Sequence, residues 1–247
     1  MLLTMKALTE GARALYTDAA ICLDIRSRHI DPRTRTSVEN RLALLTPVIK
    51  SFLSDAAVEV TRLGITVYGG HGYVREHGME QLLRDAQIVP LYEGTNAIQA
   101  LDLVHRKLAL DDGGTVAGWI RESHALIGRH ARQPALQKLC VALRGALNHL
   151  QEATALMQRR GREDAVAAAA AASDYLRLFG LSALGSAWLR MGASAVAAAG
   201  GESPAFYAGK VKTAHFYGEY LLSQASALRQ SIGADAGVLM HHATEEL

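Results

Sequence analysis

The sequence has only two cysteines, Cys22 and Cys140, and they lie far apart. Neither belongs to a Cys-x-x-Cys pair, so the spacing typical of zinc sites and dithiol redox motifs is missing. The small disulfide-rich secreted domains are excluded as well, because they carry many cysteines in a short chain. We therefore expect two buried, reduced thiols in a cytoplasmic protein.

Aromatic residues are also scarce, at 6% of the chain, although hydrophobic residues make up 49% of it. Alanine is plentiful, and alanine favours helix over sheet because it loses no side-chain entropy in a helix and packs poorly on a pleated surface. Apolar residues recur at helical spacing on nearly every segment, and no sustained alternation is present. The sequence predicts an all-α fold: a helical bundle followed by a second antiparallel helical bundle.

Long apolar runs and an excess of one charge are missing too. No stretch approaches 18 uninterrupted apolar residues, so no membrane span is predicted. The net charge is only +2, and no dense Lys/Arg cluster is interleaved with aromatics, which argues against a nucleic-acid partner. His241-His242 near the end lacks companion ligands at suitable spacing, so no metal site is predicted.

Proline, glycine and polar clusters divide the first part of the chain. A first helix is expected over residues 1–29. A capping box at Thr36–Glu39, with a hydroxyl three residues before a glutamate, predicts the start of a long second helix. Gly64 is the expected C-cap of that helix. A glycine turn, a short helix over 76–88 and an extended link over 89–94 should follow.

The clearest boundary is Asp111-Asp112-Gly113-Gly114. It divides the chain into predicted domains 1–110 and 115–247. Before it, Thr95 or Asn96 can cap a helix. Beyond it, long helical patterns joined by short connections imply antiparallel neighbours. These helices are expected near 115–131, 134–160, 164–199 and 204–231.

Two segments carry the candidate chemistry, Tyr68-Gly69-Gly70-His71-Gly72-Tyr73 and Leu91-Tyr92-Glu93-Gly94-Thr95. Glu93 has apolar neighbours and no adjacent formal charge, and desolvation is how a carboxylate gains the basicity of a general base. Taken alone, Glu93 is better explained as a glutamate in a loop or first helical turn that a helix dipole favours. The glycines could equally serve only to turn the chain.

With Arg84-Asp85-Ala86 between them and Ile98-Gln99 after them, the two segments resemble the carboxy-terminal helical domain of the acyl-CoA dehydrogenase family. The resemblance implies that Glu93 is the catalytic base, which removes the α-proton of an acyl-CoA thioester while a β-hydride passes to FAD. It also implies that the thioester oxygen is held by the backbone N–H of Glu93, beside Gly94, and by a flavin hydroxyl.

The same resemblance implies an FAD contact at the glycine turn, where Gly70 is the best candidate. In the family this turn approaches the FAD of a neighbouring subunit. Thr66 stands where the family commonly has a glutamine, and its shorter side chain removes one expected hydrogen bond to the nucleotide. The full set of expected cofactor-binding residues is Thr66, Gly69, Gly70, Gly72, Thr95 and Ala97.

The resemblance extends over nearly the whole chain. Residues 1 to about 110 resemble the second half of the family's carboxy-terminal domain. The remainder resembles the extra helical domain of the large branch that includes 3-methylmercaptopropionyl-CoA dehydrogenase-like proteins. The family's amino-terminal and β domains have no counterpart here. We therefore expect the base-bearing part of a dehydrogenase that is inactive and binds FAD weakly at best in isolation.

The alternative is a helical association module of the same descent that does no chemistry. For a complete enzyme the resemblance implies an acyl-CoA substrate and electron-transfer flavoprotein as partners. A homo-oligomer is expected as well, because large exposed apolar patches tend to bind partners. The apolar stripe expected to be exposed in the first helix comprises Leu2, Leu3, Met5 and Leu8.

Overall fold

The computed structural model describes residues 1–246, and these residues form helices joined by short turns without any β-strand. The all-α prediction is confirmed. None of the helices in this range combines the length and apolar character that crossing a bilayer requires. The α-helices are α1 Leu2–Arg28, α2 Pro32–Tyr68, α3 Gly70–Tyr73, α4 Met79–Gln87, α5 Asn96–His105, α6 Gly114–His130, α7 Gln137–Glu163, α8 Ala165–Ala170, α9 Ala172–Ala197, α10 Pro204–Phe216, α11 Gln224–Ile232 and α12 Gly237–Met240.

Shorter helical turns connect several of these helices. Four are 3₁₀ turns, and a π turn continues α10. The last two predicted helices are present but interrupted. The helix predicted over 164–199 is divided into α8 and α9, and the helix predicted over 204–231 is divided into α10 and α11 by the π turn. The short turns are Arg75–His77, Lys107–Gly113 (whose backbone is not helical at Leu110, Asp111 and Asp112), Pro134–Leu136, Tyr217–Leu221 (the π turn) and Thr244–Glu246.

The start of α2 differs from the prediction. Asp31 is its N-cap, and the carboxylate accepts hydrogen bonds from the backbone N–H groups of Arg33 and Thr34, both at 3.1 Å. Pro32 occupies the first helical position, where the missing N–H costs nothing. The predicted capping box at Thr36–Glu39 is wrong, because the helix begins earlier and the Asp31 carboxylate already accepts hydrogen bonds from N–H groups of its first turn.

The end of α2 also differs. The helix continues past Gly64 to Tyr68, and Gly69 closes it with a φ of 61°. The predicted C-cap at Gly64 is wrong because this glycine serves packing: a Cβ there would lie 2.4 Å from the Met79 Cε of α4. A missing side chain therefore lets α4 approach α2 closely.

The predicted apolar stripe of α1 is divided between surface and core. Leu2 and Leu3 are more than half exposed, whereas Leu8 is 4% exposed. Met5 is partly buried. The expectation of exposure is therefore wrong for Leu8, which packs into the core of the chain itself.

One hydrophobic core extends from α1 to α11, and α9 is its most buried helix. The Trp188 indole of α9 is fully buried and donates a hydrogen bond to the Ala7 carbonyl of α1 at 3.0 Å. Phe52 of α2 lies so close to α9 that a Cβ at Gly180 would come within 2.3 Å of its ring. The predicted domain division at residues 110–115 stays a prediction, because α9 packs on helices from both sides of it.

The buried thiols were correctly anticipated. Cys22 and Cys140 are both buried and unpaired. Burial raises the pKa of each thiol, so the protonated form is favoured at neutral pH.

Glu10 connects α1 to α10 through two ammonium groups, from Lys6 at 2.6 Å and from Lys210 at 2.9 Å. Burial of Glu10 acts to raise the pKa of its carboxyl, but the two lysines outweigh it and the pKa is lowered. Because the pKa is lowered on folding, the ionised carboxyl stabilises the fold at pH values above its ordinary pKa of 4.5. This stabilisation is lost as the pH falls through the pKa of the folded state.

Replacing Glu10 by Gln should therefore reduce the free energy of unfolding by about 0.5–1 kcal/mol at pH 7. The measurement is urea unfolding of both proteins at pH 7 and pH 3. The difference should be smaller at pH 3, because the wild-type carboxyl takes up a proton as the pH falls through its folded-state pKa. An equal difference at both pH values would contradict the ion-pair explanation.

Candidate functional site

The loop between α4 and α5 is folded back on itself. The N–H groups of Leu91 and Tyr92 both donate to the Ile88 carbonyl, at 3.0 and 3.3 Å. The Asn96 N–H donates to the Pro90 carbonyl at 3.0 Å and closes the loop. The predicted extended link is therefore wrong, because consecutive turns replace it.

Glu93 has an unusual backbone conformation within this loop. Its φ is 56°, and Gly94 follows with a φ of 81°. The left-handed region is rare for a residue with a Cβ and costs about 1–2 kcal/mol. Two side chains hold the strained peptides: Gln99 Nε2 donates to the Glu93 carbonyl at 3.1 Å, and Lys50 Nζ donates to the Gly94 carbonyl at 2.8 Å.

The surroundings of Glu93 are more open than its apolar neighbours suggest. Glu93 itself is exposed, and Leu91, Tyr92 and Ile98 are each at least half exposed. Within residues 1–246, the neighbouring side chains do not provide the expected desolvation. The carboxylate therefore lies at an open surface of this chain.

Thr95 begins α5, as one of the two predicted caps. Its hydroxyl accepts a hydrogen bond from the Ile98 N–H at 3.3 Å. Glu93 is therefore two residues from a helix N-terminus, where unpaired N–H groups and the helix dipole favour negative charge. Ala97, a predicted cofactor contact, is exposed in the first turn of the same helix.

Asn96 does not cap the helix but attaches its first turn to α2. Its side-chain Nδ2 lies 2.7 Å from Asp55 Oδ1 and 2.9 Å from Ser54 Oγ, and its Oδ1 accepts from Lys50 Nζ at 2.9 Å. Desolvation raises the pKa of Asp55, and the hydrogen bond from Asn96 offsets part of this effect. No local sequence signal marks these contacts, because 41–46 positions separate Asn96 from its partners.

The glycine turn contains three glycines with different roles. Gly69 needs its freedom because its φ is positive, and Gly72 is buried where a Cβ would lie 2.4 Å from the Ile65 carbonyl oxygen. Gly70 meets neither constraint: it is exposed, and a Cβ there would have no atom within 4 Å. The fold therefore does not explain why residue 70 is glycine, whereas close approach by another molecule would.

Thr66 lies one turn before this glycine turn, near the end of α2. It is exposed, and its hydroxyl donates to the Arg62 carbonyl of its own helix at 3.2 Å. The position predicted to face a cofactor is therefore accessible from outside.

The glycine turn and the Glu93 loop lie far apart in the chain's own fold. Lys50, which anchors the loop, and Gly69, which ends α2, are separated by about 28 Å along the helix at about 1.5 Å per residue. Within one chain, Gly70 and Glu93 therefore lie near opposite ends of this stretch of α2 and are not neighbours.

Two family models match the chain. "Acyl-CoA dehydrogenase, C-terminal domain" matches residues 1–108, and "Acetyl-CoA dehydrogenase C-terminal like" matches residues 116–242. Together the two matches cover nearly the whole chain. The match to residues 1–108 contains both the glycine turn and the Glu93 loop.

Curated relatives show the same similarity. The chain is 38% identical over 240 residues to 3-methylmercaptopropionyl-CoA dehydrogenase of Ruegeria pomeroyi, covering 92% of this chain and 39% of that protein. It is 32% identical over 255 residues to the broad-specificity linear acyl-CoA dehydrogenase FadE5 of Mycobacterium tuberculosis, covering 94% and 40%. The chain thus spans about two fifths of the length of these relatives.

Among solved structures, the fold is similar to ACDH-11 of Caenorhabditis elegans, crystallised in complex with C11-CoA. The TM-score is 0.65 at 23% identity, and the match covers 86% of this chain and 34% of that chain. At this identity the similarity concerns the fold.

Proposed function

The chain belongs to the acyl-CoA dehydrogenase family, and from this premise we propose that it carries the base-bearing part of an FAD-dependent α,β-dehydrogenation of an acyl-CoA thioester. The observation that supports this most is the conformation of Glu93. A glutamate held in the left-handed region at a helix N-terminus is costly to the fold, and such strain persists where function needs it.

In the proposed reaction, the Glu93 carboxylate accepts the α-proton of the substrate. The Glu93 N–H donates to no protein acceptor within residues 1–246, so it is available to the thioester oxygen on which charge develops. FAD, when bound, supplies the acceptor for the β-hydride. Because Glu93 is exposed in this chain, its desolvation would come from the bound substrate and the protein surface that covers it.

The glycine turn is the proposed FAD contact of this chain. Gly70 provides the accessible backbone, between Gly69 and Gly72, which shape the turn. Thr66 lies beside it, and Thr95 and Ala97 would approach the flavin from the α5 terminus. The unexplained absence of a side chain at Gly70 supports this fit.

Replacing Gly70 by Ala should separate cofactor binding from folding. Nothing within 4 Å opposes the new methyl group, so the thermal midpoint should stay unchanged or rise slightly, because alanine loses less conformational entropy on folding. FAD retention should fall in the flavin-loaded protein to which these residues belong, as measured by the flavin-to-protein absorbance ratio after gel filtration.

Gly72→Ala is the matched control. Its methyl group would lie 2.4 Å from the Ile65 oxygen, so this variant should lose thermal stability. If Gly70→Ala retains FAD as well as the wild type, the proposed contact is wrong.

We also propose a homo-oligomer. The separation of about 28 Å along α2 at 1.5 Å per residue supports an arrangement in which the glycine turn of one chain serves the site of another. Electron-transfer flavoprotein is the proposed electron acceptor, by family membership. The cytoplasm is the proposed compartment, because the two cysteines are unpaired.

Self-association should therefore be measurable. Exposed apolar residues cluster near the glycine turn, among them Val67, Tyr68, Tyr73 and Val74, and large patches of this kind mark interfaces. Sedimentation velocity at about 10–50 µM, a range in which micromolar dimers form, should show species larger than the monomer. A single non-associating monomer would contradict the proposal.

The second candidate function is a helical association module without chemistry. The exposure of Glu93 and its neighbours favours it, because an open carboxylate is a poor general base. Colour discriminates between the two functions when the protein is purified with the domains that complete the flavin site: a flavin enzyme is then yellow, whereas a module without chemistry is colourless.

A further inference from the structure

We propose that Lys50 is a positioning residue for the candidate base, which it holds in its left-handed conformation through Gly94 and Asn96. This inference rests on the proposed role of Glu93 as the α-proton base. Lys50 itself touches no reacting atom.

The contacts of Lys50 differ from those of Lys6, Lys107, Lys138 and Lys210, which form ion pairs. Lys50 is half-buried, and its ammonium lies 2.8 Å from the Gly94 carbonyl and 2.9 Å from Asn96 Oδ1. Within residues 1–246, no carboxylate lies within ion-pair distance of it, whereas Lys138 pairs with Glu219 at 3.1 Å on the surface. The charge of Lys50 is therefore directed at two neutral oxygens of the candidate site, and charge-assisted hydrogen bonds are the stronger kind.

These contacts fix the backbone around Glu93. Gln99 holds the carbonyl of Glu93, and Lys50 holds the carbonyl of Gly94. The peptide planes before and after Gly94 are thus both tethered. Without the Lys50 tether, Gly94 could rotate freely, because glycine populates both signs of φ. The strained φ of Glu93 would then have one support fewer.

Asn96 extends the tether to the helix behind. Its amide oxygen accepts from Lys50 and its amide nitrogen donates to Asp55, so both ends of the amide are held by α2. The start of α5 and the Glu93 loop are thereby fixed to one rigid helix. Mispositioning of a reacting group by about 1 Å can cost about 100-fold in rate, so such support matters for a base.

The first test uses the 247-residue chain alone and needs no flavin. Lys50→Met removes the ammonium and keeps the apolar stem. Amide hydrogen exchange in residues 89–99 should become about tenfold faster, the factor expected for losing a hydrogen bond to a charged group. Exchange in α7 should stay unchanged. The matched control, Lys138→Met, should leave residues 89–99 unaffected. Unchanged exchange in this loop in Lys50→Met would overturn the inference.

The second test measures kcat and KM in the flavin-loaded protein to which these residues belong, well below its thermal midpoint. Lys50→Met should lower kcat about 10- to 100-fold with little change in KM, because the base is misplaced after the substrate has bound. A merely structural role would lower the thermal midpoint and leave kcat per folded site unchanged, which would overturn the inference. Glu93→Gln, assayed in parallel, tests the base itself. Full activity of Glu93→Gln would contradict the proposed function. Loss of activity in Glu93→Gln together with full kcat in Lys50→Met would contradict only the positioning role of Lys50.

Discussion

Replacing Glu93 by Gln should slow flavin reduction about 10²–10⁴-fold, the usual contribution of a general base, while acyl-CoA still binds. Glutamine keeps the shape of the side chain and its backbone hydrogen bond from Gln99, but it cannot accept the α-proton. The measurement is anaerobic stopped-flow bleaching of the flavin by an acyl-CoA, in the flavin-loaded protein to which these residues belong.

Glu76→Gln provides the control for this experiment. Glu76 is an exposed glutamate in the turn before α4, with no role in the proposed reaction. Its replacement should leave the reduction rate unchanged. Retention of most of the rate in Glu93→Gln would overturn the assignment of the base.

Replacing Trp188 by Ala should destabilise the fold by about 3–5 kcal/mol, the typical loss for a buried tryptophan. The indole is fully buried at the contact between α9 and α1, and a Cβ at Gly11 of α1 would lie only 2.7 Å from its Nε1. Truncation leaves a cavity and removes the donor that satisfies the Ala7 carbonyl. Urea unfolding at pH 7 measures the loss.

Tyr16→Ala is the matched control for the tryptophan variant. Tyr16 is an aromatic residue of α1, the helix that Trp188 contacts, but it is 63% exposed, so its removal should change the unfolding free energy by less than about 0.5 kcal/mol. A loss below about 1 kcal/mol in Trp188→Ala would show that the contact between α1 and α9 carries little of the stability.

The helices could be predicted because their apolar residues recur at helical spacing, which does not depend on distant contacts. Their ends were harder to predict. Gly64 resembles a C-cap in sequence, yet it is buried against Met79 of α4, and only the packed structure shows that contact. Likewise, Leu8 resembles its exposed neighbours Leu2 and Leu3 but faces the core.

The candidate site was predictable only where it is local. Glu93 and Gly70 stand in short motifs, and Thr95 has the usual chemistry of an N-cap. Lys50 and Asp55 have no such local signal, since they are ordinary polar residues of a long helix. Their role depends on tertiary contacts with Asn96, more than 40 positions further along the chain.

The proposal that Glu93 removes the α-proton can be tested directly, without any dependence on hydride transfer. An acyl-CoA analogue with sulfur in place of the β-carbon has no β-hydride to lose, so proton removal is the only part of the reaction that it can undergo. The flavin-loaded protein to which this chain belongs, incubated with the analogue in deuterium oxide, should replace the α-hydrogens by deuterium, and the exchange should be slowed at least about 100-fold in Glu93→Gln. Equal exchange by the two proteins would contradict the proposed role of Glu93.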